Sequence, residues 1–292
     1  MGRRSALVGL HGAVLLFGFA GLFGKWLLLP PVWIVLGRTA VAAAALAALR
    51  AMQRDALRSF DARLIVNGAV LALHWVAFFA AIQISSVAIG LLGFASFPLF
   101  VLLAERVLLG RRWTGREALV ALLVTLGLTL LVPEFSLANP VLLGLAWGVL
   151  SRFTFALLAV MNRSWVRARP ATDVAFWQNL WAAFALLPFA VAGGTLPVVG
   201  YREIALLLVL GIVCTALAHT LFINCLRTLT AHTASVVAAL EPVYGIVLAL
   251  VLLGEIPGWR TLFGAVLIVG AAIYATWQGN AGTRAPFAET IK

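Results

Sequence analysis

Glu241 stands directly before Pro242 in the apolar run ALEPVYGIVLALVLLGE, residues 239–255. A carboxylate inside hydrocarbon is costly, and chains keep one where it faces a protein interior or a water path. Two readings of Glu241 stay open. It binds a proton or a substrate amine, or it is a hydrogen-bonded brace at the bend made by Pro242. His74, in VLALHWVAFFAAIQ, shares a helical face with Asn67 and Phe78 at seven- and four-residue spacing. Such an imidazole either lines a path, binding a carboxylate or passing a proton, or makes an interhelical hydrogen bond. His219, with Thr215 four residues earlier in CTALAHTLFINC, poses the same choice.

Further candidates follow the same spacing. Trp147, Ser151 and Phe155 share a face in GLAWGVLSRFTFALLAVMN. Trp147 there could stack on a ring or contact an ammonium, or it anchors the helix at a membrane boundary. Arg152 in that run, like Arg38 in PVWIVLGRTAVAAAALA, cannot shed its charge and needs a carboxylate, a carbonyl or an anionic substrate. ATDVAFWQNLWAAFALL supplies Trp177, Gln178, Asn179 and Trp181. Its amides could hold the backbone groups of a zwitterion, or bond helix to helix. Pro98 and Pro242 each frees a backbone carbonyl and lets a helix bend or gate beside a cavity.

The elements that position these residues follow from composition. The 292 residues are 63% hydrophobic and 11% charged, with mean hydropathy +1.07. Soluble domains average about 45–50% apolar and ~25% charged. So much apolar surface calls for a lipid bilayer as solvent, crossed by helices of ~20 apolar residues. The net charge of +11 is not a nucleic-acid signal, because the basic residues sit in short loops between apolar runs. Cys214 and Cys225 share one apolar segment and lie about 16 Å apart by helical rise, too far for a disulfide. No metal-ligand spacing and no cofactor motif occurs.

Ten helices are expected, at 6–28, 32–49, 63–83, 86–109, 115–132, 140–162, 173–192, 202–225, 232–253 and 259–277. Of 21 Lys and Arg residues, 16 fall on the side of the N-terminus, which puts both termini in the cytoplasm. A repeat organises the spans. Pro98 precedes Gly110 of a VLLG tetrad by twelve residues, and Pro242 precedes Gly254 of a second VLLG by the same distance. The copies lie 144 residues apart. Five helices per half is an odd number, so the second half enters the membrane inverted. The loop charges agree in part: LLGRRWTGRE after the first copy is basic, while LLGEIPGWRT carries Glu255 where the first has Arg111. Arg116 and Arg260 do not follow the switch. The expected organisation is therefore an all-α polytopic membrane protein of two inverted five-helix repeats around a central cavity. The repeats are 1–132 and 133–277, and a cytoplasmic tail covers 278–292. Inverted repeats mark secondary transporters with a midplane site.

The chain resembles the drug/metabolite transporter superfamily in its ten-helix EamA branch. The resemblance rests on PVWIVLGRTAVAAAALA, AAIQISSVAIGLLGFASFPLFVLLAERVLLG and LVALLVTLGLTLLV in the first half. In the second half it rests on NCLRTLTAHTASVVAALEPVYGIVLALVLLGE and FGAVLIVGAAIYA. The chain departs from the pattern at Arg111, where such families often carry an acid, which argues against a symmetric pair of carboxylates. The 10 tryptophans in this framework also resemble the YddG-type amino-acid exporter subgroup. The resemblance implies that helices 1–4 and 6–9 surround the cavity. Helices 5 and 10 lie outside it, for packing or for a homodimer. It implies that Arg38 is framework more often than substrate contact.

The functional expectation is a bacterial-type inner-membrane exporter of amino acids, aromatic ones included, or related small metabolites, by uniport or proton linkage. The partners are that small-molecule substrate and the lipid bilayer, with no nucleic acid. The substrate-binding residues expected are His74, Phe78, Trp147, Ser151, Trp177, Gln178, His219 and Glu241, with Pro98 and Pro242 as bends. A multidrug or quaternary-cation exporter is the alternative. A phosphorylated-sugar carrier would need Arg38 and Arg152 to reach one anion. An enzyme is disfavoured, since HExxH, GxSxG and paired-aspartate motifs are missing.

Overall fold

The structure is a computed structural model that describes residues 2–53, 61–94, 96, 100, 115–131, 136, 138–192, 197–229, 231–238 and 240–282. The described elements are helices throughout. They are α1 (Arg3–Trp26), α2 (Pro31–Met52), α3 (Arg63–Ile84), α4 (Val87–Phe94), α5 (Gly115–Leu131) and α6 (Pro140–Trp165). Then come α7 (Ala171–Ala192), α8 (Tyr201–Cys225), α9 (Ala231–Ala238), α10 (Glu241–Leu253) and α11 (Trp259–Gly282). Six of them, α1, α2, α3, α6, α7 and α8, are 22 to 26 residues long and apolar enough to cross a membrane. Pro98, Arg111 and the tail from 283 onward lie outside the described residues.

One expected span divides. The sequence places Glu241 nine residues into a continuous helix over 232–253. In the structure α9 ends at Ala238 and Glu241 opens α10. Pro242 explains the division. It has no N–H to donate, so it is tolerated in a helix's first turn, where that donor would go unused. Gly254, at φ +67°, ends α10 in the left-handed conformation that glycine adopts without strain.

Small residues set the helix spacing. Gly90 and Gly93 of α4 lie against Gly148 of α6, and Gly18 of α1 lies against the backbone of Glu241 and Gly245 of α10. Gly68 of α3 abuts Trp181 and Ala182 of α7. Lipid tails are as apolar as leucine, so helices in a bilayer associate through such close packing and through buried polar bonds.

Polar contacts tie the ends. Asp173 of α7 pairs with Arg169 at 2.9 Å and with Arg50 of α2 at 3.7 Å. At the other end, a carboxylate oxygen of Glu255, just past α10, accepts from the Val87 N–H that opens α4, at 3.1 Å. Lys25 donates to the Ser85 carbonyl at 2.8 Å.

α5 and α11 pack on each other, around Val120, Val124 and Ala271, with Gly127 against Gly264. Leu131, at the end of α5, and Ile268 of α11 meet Ile89, Leu92 and Leu145. The other helices enclose the main core.

Candidate functional site

A central cavity lies among α1, α2, α3, α6, α8 and α10. It is lined by Phe17, Ala20, Arg38, Leu71, His74, Trp75, Phe78, Phe155, His219 and Glu241. Among the described residues neither α5 nor α11 contributes to its wall. Its free volume is about 20 Å³, room for one water molecule. A larger solute needs the walls to part. A second void of about 430 Å³ lies between α2 and α7, but its walls are alanine, leucine and phenylalanine only among the described residues. It offers nothing that could grip a polar solute.

His74, Glu241 and Arg38 are each held by a partner from a distant part of the chain. His74 of α3 approaches Ser151 of α6 twice, with Nδ1 at 2.8 Å from the Ser151 carbonyl and 3.0 Å from its hydroxyl. That hydroxyl donates back to the His74 carbonyl at 2.8 Å. The Phe155 ring stacks on the imidazole with centroids 5.0 Å apart, and Phe17 and Phe222 extend the aromatic cluster.

Glu241 lies 3.5 Å from the Nη2 of Arg152, and both are almost wholly buried. The sequence asks Arg152 for a carboxylate, a carbonyl or an anion; Glu241 is that carboxylate. The position of Glu241 at the start of α10 adds a favourable interaction with the helix dipole.

Arg38 is held differently. Residues 212–217 of α8 form a π-helical turn, where the Thr215 side-chain hydroxyl donates to the Leu210 carbonyl at 2.7 Å. The turn presents Thr215 and the Cys214 carbonyl to α2. Arg38 Nε donates to Thr215 Oγ1 at 2.9 Å, and Nη2 donates to the Cys214 carbonyl at 3.4 Å. The guanidinium lies over the Trp75 ring at 4.0 Å. Cation–π contact of this kind is worth ~2 kcal/mol or more when desolvated. Trp75 meets His219 edge-on, with centroids 5.5 Å apart.

Of the residues expected from sequence, His74, Phe78, His219 and Glu241 line this cavity. Ser151 stands behind His74. Gln178 points elsewhere: its amide donates to Asn162 Oδ1, which also accepts from Asn67 at 3.2 Å, joining α3, α6 and α7. Trp177 is half-buried against Phe176, and Trp147 is half-buried; neither is in the wall. The expected set missed Phe17, Ala20, Leu71, Trp75 and Phe155 as wall residues and set Arg38 aside as framework. An arginine well inside the alanine-rich second span was the signal for Arg38.

The EamA-like transporter family model matches residues 4–132 and again 142–277. The chain belongs to the EamA-like transporter family. It is thus a multi-pass membrane transporter of small molecules. It is similar to the uncharacterized transporter YxxF of Bacillus subtilis (strain 168), at 23% identity over 97% of this chain and 94% of that protein. A solved crystal structure of 21% identity superposes with TM-score 0.72 over 95% of this chain and 99% of its own, a likeness of fold.

Proposed function

We propose that this transporter exports amino acids, aromatic ones included, or related small metabolites across the inner membrane by alternating access. The carrying observation is the composition of the cavity wall. Aromatic rings of Phe17, Trp75, Phe78 and Phe155 surround a cation, Arg38, and a carboxylate, Glu241. That combination suits a compact amphipathic solute with charges of both signs.

The proposed architecture is two inverted five-helix halves with both termini cytoplasmic. The two family-model matches support the duplication. Trp75 and His219 add to it, because they lie 144 residues apart, like the VLLG tetrads, and their rings touch. Residues related by a twofold pseudo-axis meet only near that axis, and this contact is at the cavity. Rocking of one half against the other would open the narrow cavity to each side in turn.

The test is counterflow of labelled amino acids into liposomes holding the purified protein, with and without a pH gradient. Uptake that ignores the gradient identifies a uniporter. Uptake driven by the gradient and lost in Glu241→Gln, with the fold intact, makes Glu241 the proton-coupling group. Glu241 in the wall is also what favours the second reading, export of lipophilic cations. Competition by tetraphenylphosphonium, without any movement of amino acids, would select it.

A further inference from the structure

A guanidinium buried in hydrocarbon carries a solvation cost that a carboxylate ordinarily offsets. Arg152 has Glu241. Arg38, 1% exposed, has no acidic oxygen within 4 Å among the described residues. Its contacts are neutral: Thr215 Oγ1, the Cys214 carbonyl and the face of Trp75. They fix Nε and Nη2 of the planar fork and leave Nη1 without an acceptor among the described residues. His219 meets the edge of the same Trp75 ring, is 1% exposed, and has neither ring nitrogen partnered among the described residues. Both residues line the cavity.

We propose that Arg38 and His219 form a carboxylate subsite, and that a carboxylate is the one group the cargo cannot lack. Guanidinium forks match the two oxygens of a carboxylate, and a neutral imidazole always keeps one N–H to donate. The charge balance points the same way. Arg152 and Glu241 cancel, so among the described residues Arg38 leaves the cavity with one net positive charge. A monocarboxylate neutralises it, a zwitterion leaves it unchanged, and an amine without a carboxylate doubles it. The α-amine is therefore dispensable. The cargo class narrows to aryl and alkyl carboxylates, with or without an amine. This inference rests on the reading of the cavity as a site for amphipathic metabolites.

The experiment is the melting temperature of the purified full-length protein in detergent and carboxylate-free buffer. Four probes share one benzyl skeleton: phenylalanine, 3-phenylpropionate, phenylalaninamide and phenethylamine. Both carboxylates should raise the melting temperature by about 2–4 °C, and the amide and the amine should not. Arg38→Gln should abolish the shift and Arg38→Lys should keep part of it. If neither variant folds, the comparison of the four probes on the wild type still decides. Stabilisation by 3-phenylpropionate but not by phenylalanine upholds the subsite and sinks the amino-acid reading. Equal stabilisation by phenylalanine and its amide keeps the amino-acid reading and overturns the subsite. No shift with either carboxylate also overturns it.

Discussion

Arg152 and Arg38 sit beside one cavity and are equally hidden, at 0% and 1% exposure. Arg152 reaches Glu241 on α10. Among the described residues Arg38 reaches a hydroxyl, a carbonyl and the faces of Trp75 and Phe79, all neutral. The first arginine closes a charge pair between two helices, and its removal leaves a carboxylate stranded. The second lines the cavity with its Nη1 lacking an acceptor among the described residues, and its removal strands no charge among them. Equal burial thus serves two ends: a pair that holds the bundle together, and a cation held ready for something else.

The largest effect tests the paired side. Glu241→Gln or Arg152→Gln leaves an opposite charge buried alone, a loss of roughly 3–5 kcal/mol by analogy with other buried pairs. Thermal unfolding in detergent measures it. The double variant Arg152→Met/Glu241→Leu should recover most of the loss. Single variants that melt like the wild type would dissolve the contrast between the arginines.

Next is the open side. Arg38→Gln should cut transport about 100-fold, equivalent to ~2.7 kcal/mol, while the melting temperature stays level or rises. Counterflow and unfolding on the same preparation separate the two effects. A melting temperature lowered as far as in Glu241→Gln would make Arg38 structural.

Thr215→Val sharpens the comparison. It removes the acceptor of Arg38 Nε and should weaken substrate affinity by about tenfold, the ~1.5 kcal/mol of a hydrogen bond to a charged group. Substrate titration of counterflow would read it, and an unchanged affinity would detach the π turn from the site. The smallest effect falls outside both arginines. Ser151→Ala loosens His74 and should cost about 1 kcal/mol of stability. A transport loss larger than that of Arg38→Gln would shift the centre of the site to His74.

The residues of the centre were legible where one helix carries the whole signal. Asn67, His74 and Phe78 are all buried along α3, as four- and seven-residue spacing requires. The same logic failed for Trp147, which shares its face with Ser151 and Phe155. A membrane helix is some 30 Å long, and only a few residues of any face come level with a small cavity. Gln178 failed for another reason: a neighbouring Asn162 offered its amide a closer partner. Periodicity gives the direction of a side chain along one helix and is silent about what waits there.

From the sequence alone came the bilayer as solvent, most of the described helix positions, the 144-residue spacing of the VLLG tetrads and several of the buried polar groups, though Arg50, counted among the loop charges, is buried. Each of these depends on local spacing or summed hydropathy. Only the tertiary structure decided which polar groups meet. It gave Glu241 to Arg152 across 89 residues and Thr215 to Arg38 across 177. It broke the ninth span at Glu241 and wound a π turn into α8. Such pairings depend on which helix faces lie opposite one another. That is a property of the packed bundle, set by close contacts such as Gly18 on Gly245, and no single helix encodes it.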